Sequence, residues 1–109
     1  MRITYDKKAN ALYIYLLQIP VLKTFGIIKK TEGDWPIHFD YTKDNKLFGI
    51  EILESKQYFS EKTLEKIIRK DKSAPIDMVN DLRSFKPEDE VEKECVRKVC
   101  DVLIDKRVQ

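Results

Sequence analysis

Apolar and polar residues alternate from Leu47 to Glu54: Phe48, Ile50 and Ile52 fall on one side of an extended chain, and Leu47, Gly49, Glu51 and Leu53 on the other. A period of two marks a strand packed on at least one face, and this stretch predicts a central one. The same alternation recurs upstream. Arg2 to Tyr5 predicts a first strand, the polar run 6–10 a turn, and Ala11 to Leu17 a second strand with Leu12, Ile14 and Leu16 on one face and Tyr13 and Tyr15 on the other. Ile19-Pro20 interrupts the pattern, because proline has no N–H for a ladder. Leu22 to Lys30 predicts a third strand, residues 29–34 a loop, and Trp35-Pro36 the opening of a fourth strand. In that strand Ile37, Phe39 and Tyr41 share one face and His38 and Asp40 the other. Asp44-Asn45, in the turn 42–46, suits the positive φ of a tight hairpin.

After Glu54 the period changes. Ser60 is placed to cap a short helix running to about Lys70, with Leu64, Ile67 and Ile68 on its stripe. Ala74-Pro75 is expected to end or redirect it, and Met78, Val79, Leu82 and Phe85 have the spacing of a second short helix. A last helix is expected to begin near Pro87, with Glu88, Asp89 and Glu90 in its first turn and Lys106-Arg107 in its last, as the helix dipole favours. Its predicted stripe is Val91, Cys95, Val99, Val102 and Leu103, widened by Val96, Cys100 and Ile104. Strands first and helices second give an α+β fold: an antiparallel β-meander of about five strands followed by two or three helices packed on one face.

Length and composition narrow the class. A chain of 109 residues suits a single domain, with 1–54 its sheet part and 55–109 its helical part. Charged residues make up 37%, yet the net charge is only +2, so the basic excess of a nucleic-acid binder is missing. The longest apolar run, Ala11 to Leu17, is strand-sized, so no membrane span is expected. The first residues enter a structured pattern without a hydrophobic signal segment, which makes the cytoplasm the expected compartment. Cys95 and Cys100, five apart on the last helix, point about 140° apart round its axis and cannot bridge one another there. They read as small buried thiols.

The segments Ile3-Thr4-Tyr5-Asp6, Asn10-Ala11-Leu12-Tyr13-Ile14-Tyr15-Leu16, and Asp40 with Leu47-Phe48-Gly49-Ile50-Glu51-Ile52-Leu53 together carry a recognisable wording. The chain resembles the bacterial and archaeal family called domain of unknown function 2283 over residues 1–54. Two positions depart from that wording: Asn10 stands where Asp is common, and Asn45-Lys46 where Asp-Gly is usual. The resemblance implies a small β-rich fold without an established activity, found alone and sometimes beside toxin-like genes. It supplies no catalytic residues. A version with a helical extension suggests, by analogy, a protein adapted to one partner, as antitoxins and immunity proteins are.

Candidate chemistry is sparse. His38 is the only histidine; with Asp40 and Glu51 it forms a group capable in principle of proton transfer, but charged residues on an outer sheet face have a simpler reading as solvated surface. No nucleophile motif, phosphate loop or zinc spacing appears, so no cofactor or metal is expected and a non-enzymatic role is favoured. Lys62, Lys66, Arg69, Lys70 and Lys72 form a basic region, interleaved with Glu61, Glu65 and Asp71 as on an ordinary solvated helix. Tyr13 and Tyr15 suit either an ordinary second sheet face or a binding surface. The leading expectation is a toxin-neutralising protein, an immunity protein or antitoxin that blocks a cognate toxin, a nuclease among the candidates. Two surfaces are candidates: Tyr13, Tyr15, His38, Asp40 and Glu51, or the acidic stretch with Glu88, Asp89, Glu90 and Glu92, whose charge would orient a basic partner. The alternatives are a nucleic-acid-associated regulator using the basic region and, third, a small hydrolase around His38.

Overall fold

The computed structural model describes residues 1–16 and 36–105, together with the backbone of residues 28–29. Four full strands form an antiparallel sheet: β1 (Arg2–Asp6), β2 (Ala11–Tyr15), β4 (Ile37–Tyr41) and β5 (Leu47–Ile52). The two-residue strand β3 (Ile28–Lys29) pairs with β4, and the order across the sheet is β1-β2-β5-β4-β3. The α+β class is as expected, but among the described residues there are four full strands rather than about five, and the sheet is not a simple meander. β5 inserts between β2 and β4, which removes its backbone from water on both edges; Ile50 and Ile52 there are completely buried. The rest of the expected third strand, the Ile19-Pro20 break, the 30–34 loop, Trp35 and Lys106-Arg107 lie outside the described residues.

Local chemistry explains the hairpins. Asp6 Oδ1 accepts hydrogen bonds from the amides of Lys8 and Ala9, closing the first turn, and Asn10 takes a positive φ of 52°. In the second hairpin the positive φ falls on Asn45 alone, at 66°. The ladder there is irregular: Asp40 pairs with Gly49 but Tyr41 with Leu47, leaving Phe48 as the extra residue of a bulge. The bulge corrects the alternation read across this strand. Leu47, not Phe48, joins Ile50 and Ile52 against the core.

A 3₁₀ turn (Ser55–Gln57) leads to α1 (Glu61–Ile68), capped by Ser60, whose side chain accepts from the Thr63 amide as its position predicts. Arg69 and Lys70, the latter at φ 58°, end α1. Ala74-Pro75 therefore does not terminate that helix; it opens α2 (Ala74–Ser84), because proline fits a first turn whose N–H has no intrahelical acceptor. The final helix, α3 (Glu90–Ile104), starts at the cap Asp89 and not at Pro87. Its buried side is Glu92, Val96, Val99, Cys100 and Leu103, so the expected stripe is displaced: Val91 and Ile104 are about half exposed, while Glu92 is 7% exposed.

One apolar core joins sheet and helices. Leu12, Ile14, Ile37, Phe39, Ile50 and Ile52 meet Leu64, Ile67, Met78, Leu82, Val99 and Leu103, together with Tyr58 and Phe59 from the 3₁₀ corner. The helices thus cover one sheet face, as their stripes require. Both cysteines are free; burial pushes each thiol up, which lowers the thiolate fraction that alkylating reagents attack. Iodoacetamide at pH 8 is expected to label the native protein at least tenfold more slowly than the unfolded chain, read by mass spectrometry; equal rates would place the thiols at the surface.

Candidate functional site

The sheet face opposite the helices carries the polar group read from the sequence. Register brings its members together. Glu51 on β5 pairs with Tyr13 on β2 and His38 on β4, and Gly49 pairs with Tyr15 and Asp40 in the adjacent row. All five expected residues, Tyr13, Tyr15, His38, Asp40 and Glu51, therefore occupy one three-strand patch.

Gly49 organises the patch. A Cβ there would lie 2.4 Å from Tyr13 Cε1, 2.5 Å from its hydroxyl oxygen and 2.7 Å from Cζ, so the ring occupies space that only glycine leaves open. The Tyr13 hydroxyl consequently reaches diagonally across β5 and donates to Asp40 Oδ2 at 2.7 Å. Burial, then this hydrogen bond to a carboxylate, raise the Tyr13 hydroxyl well above the ordinary phenol range, fixing it as a donor. Asp40 is only 4% exposed. Its Oδ1 is buried without a hydrogen-bond partner among the described residues, as is Nδ1 of His38. Polar atoms in that state are rare and mark a place where a donor or an acceptor is wanted.

Aromatic contacts continue the patch toward β1. The Tyr13 and Tyr15 ring centroids are 4.4 Å apart with planes inclined at 48°, and the Arg2 guanidinium lies 4.2 Å over Tyr15. Arg2 did not emerge from the sequence as a member of this face. The signal was available: closing the first hairpin with Asp6 opposite Ala11 puts Arg2 opposite Tyr15.

The acidic stretch divides into different roles. Asp89 caps α3 by accepting from the Glu92 amide, while Glu88 and Glu90 are exposed. Glu92 is drawn inward: Oε2 accepts from the Tyr58 hydroxyl at 3.1 Å and Oε1 from the Glu88 amide at 2.8 Å. It ties the helix start to the 3₁₀ corner instead of presenting a carboxylate to solvent, which corrects its placement with Glu88, Asp89 and Glu90 on a surface. In the basic region, Lys66 bonds Asp77 at 2.5 Å and Ser73 at 3.2 Å, joining α1 to α2, whereas Lys62, Arg69, Lys70 and Lys72 are exposed.

Chemically, the sheet face offers a fixed phenol donor, two carboxylates, an imidazole and two aromatic surfaces. Among the described residues no cluster of three or more His, Cys, Asp or Glu is arranged to hold a metal ion, and no helix is long and apolar enough to cross a membrane.

No curated protein and no solved structure matches this chain. A family described as a protein of unknown function, DUF2283, matches residues 2–56, a span that holds the four full strands and every residue of the sheet-face patch. Since that span is half of the chain, and since it contains the Tyr5-Asp6, Asn10-to-Leu16 and Leu47-to-Leu53 segments on which the resemblance rests, the protein belongs to the DUF2283 family of proteins of unknown function.

Proposed function

We propose that the protein is a non-enzymatic binding protein that acts in the cytoplasm to neutralise a cognate protein toxin, as an immunity protein or antitoxin, through the sheet face centred on Tyr13, Tyr15, His38, Asp40 and Glu51. The observation that carries this reading is the patch itself: a tyrosine pair at 4.4 Å beside the partly buried His38 and Glu51, on the face that the helices leave alone. Aromatic centres with polar surroundings are what protein interfaces concentrate. Reaction chemistry is less well served, because the fixed phenol and the carboxylate it holds are spent on each other. The choice of a toxin as partner draws on the family resemblance and on a helical half beyond residue 56 that the family match leaves uncovered.

The test is coexpression with the product of the adjacent upstream gene. A stable one-to-one complex and rescue of growth are expected, and Tyr15→Ala should weaken the complex by at least tenfold while the circular-dichroism spectrum stays native. Absence of both complex and rescue would sink the reading. A complex untouched by changes on this face would move the interface elsewhere.

A further inference from the structure

β1 ends the sheet, with β2 on one side and no strand paired to the other among the described residues. The direction of its remaining hydrogen-bonding groups follows from the ladder, because backbone groups alternate between the two edges of a strand. The Leu16 amide donates to the Phe48 carbonyl at 2.9 Å, so Leu12, Ile14 and Leu16 bond toward β5, and Ala11, Tyr13 and Tyr15 toward β1. Arg2, Thr4 and Asp6, opposite Tyr15, Tyr13 and Ala11, therefore use their groups on β2, while Ile3 and Tyr5 turn theirs outward. Those outward N–H and C=O groups have no backbone partner among the described residues. β1 also lacks the usual protections of an edge. It has no proline, no bulge in its five-residue ladder, and no charged side chain of its own on the helix side, where a cleft of about 450 Å³ opens beside Ile3 and Ile67.

The edge is complementary to itself. Set antiparallel about Thr4, two copies of Arg2-Ile3-Thr4-Tyr5-Asp6 oppose Arg2 to Asp6, Ile3 to Tyr5 and Thr4 to Thr4. Each is a favourable cross-strand pairing: opposite charges, a β-branched side chain beside an aromatic one, and two threonines. The same register makes Ile3 and Tyr5 the hydrogen-bonded pairs, so the outward groups of both copies are all met across the junction. A two-residue shift either way breaks the charge pairing and the threonine pairing together, and a one-residue shift puts the hydrogen-bonding groups out of phase. Asp6 keeps Oδ2 for its pair, since the amides of Lys8 and Ala9 bond Oδ1, and Arg2 is held on the same outer face by its stacking on Tyr15 at 4.2 Å. The geometry points to a second copy of this chain as the partner of β1, in a twofold dimer whose sheets join edge to edge through Thr4. The junction lies beside the Tyr13 and Tyr15 face without covering it, so a dimer still presents one such face per chain.

Sedimentation equilibrium of the full chain from micromolar to millimolar concentration tests this, with amide hydrogen exchange at both ends of the range. A reversible monomer–dimer equilibrium is expected, with the Ile3 and Tyr5 amides exchanging at least about fivefold more slowly in the concentrated sample. Thr4→Lys opposes two ammonium groups across the twofold axis while leaving the Thr4 backbone bonded to Tyr13, and should weaken the dimer at least about tenfold with a native circular-dichroism spectrum. Thr4→Cys reads the register and serves if the lysine variant folds poorly. Mild oxidation should link two copies at this position at least about tenfold faster than in Arg2→Cys, whose position faces Asp6, with the wild type as the control for Cys95 and Cys100. A chain that stays monomeric at millimolar concentration, a dimer indifferent to Thr4→Lys, unprotected Ile3 and Tyr5 amides in the dimer, or equal linking rates at positions 2 and 4 would each overturn the inference. The neighbouring gene product takes no part in these measurements, so the dimer and the toxin assignment stand or fall separately.

Discussion

Glu92→Ala is expected to lower the free energy of unfolding by roughly 2–4 kcal/mol, measured by urea denaturation. Glu92 is an acid in a run of acids, yet it is 7% exposed and both its oxygens accept hydrogen bonds, from the Tyr58 hydroxyl and the Glu88 amide. Removing it deletes two hydrogen bonds to a charged group, each worth about 1.5–3 kcal/mol, offset in part by release of the cost of burying the charge. It also strands the Tyr58 hydroxyl in a residue that is 3% exposed. Glu92→Gln keeps one acceptor and should cost about 1 kcal/mol less than the alanine change. Glu90→Ala, at an exposed position one turn edge away, should fall within about 0.5 kcal/mol of wild type. If Glu92→Ala behaved like Glu90→Ala, the inward placement of its carboxylate would be wrong and the whole acidic stretch would return to candidacy as a partner surface.

Gly49→Ala is the second large effect, expected to destabilise by about 1–3 kcal/mol despite the better strand propensity of alanine. The new methyl would sit 2.4 Å from Tyr13 Cε1, so the ring must swing away from β5. Swinging it breaks the 2.7 Å bond to Asp40 and leaves that buried carboxylate with no partner on either oxygen among the described residues. The cost therefore comes through the hydrogen bond, and a double-mutant cycle isolates it. In a Tyr13→Phe background the bond is already absent, and Gly49→Ala should cost at least about 1 kcal/mol less than in wild type. Additive effects would mean that steric displacement of the ring, rather than the unmet carboxylate, dominates at this position.

Much of the candidate site was legible because strand periodicity is local. Tyr13 and Tyr15 alternate with Leu12 and Ile14, and His38 and Asp40 with Ile37 and Phe39, so each strand declares which residues share a face before any partner strand is known. The neighbourhood of Asp40 and Glu51 followed from the short hairpin linking β4 to β5. Illegible was the reach of Tyr13 to Asp40 across 27 residues, which depends on β5 lying between β2 and β4 and on glycine at the crossing point. Phe48 was misread for a related reason: a bulge adds one residue to one strand, and everything beyond it changes face without any change in composition. Glu92 was misread because periodicity assigns burial by apolarity, and a carboxylate satisfied from two sides breaks that rule.

What the chain determined by itself was the order of strands before helices, the inner faces of β2 and β4, the Ser60 cap and the family wording, all of which depend on residues a few positions apart. Tertiary structure alone decided the insertion of β5 into the middle of the sheet, the bulge at Phe48, the burial of Glu92 beneath Tyr58 and the gathering of Tyr13, Gly49 and Asp40 into one patch. The division is physical. Periodicity and capping are set by backbone geometry over one or two turns, whereas strand neighbours and the worth of a buried polar group are set by which distant side chains arrive to cover and satisfy it.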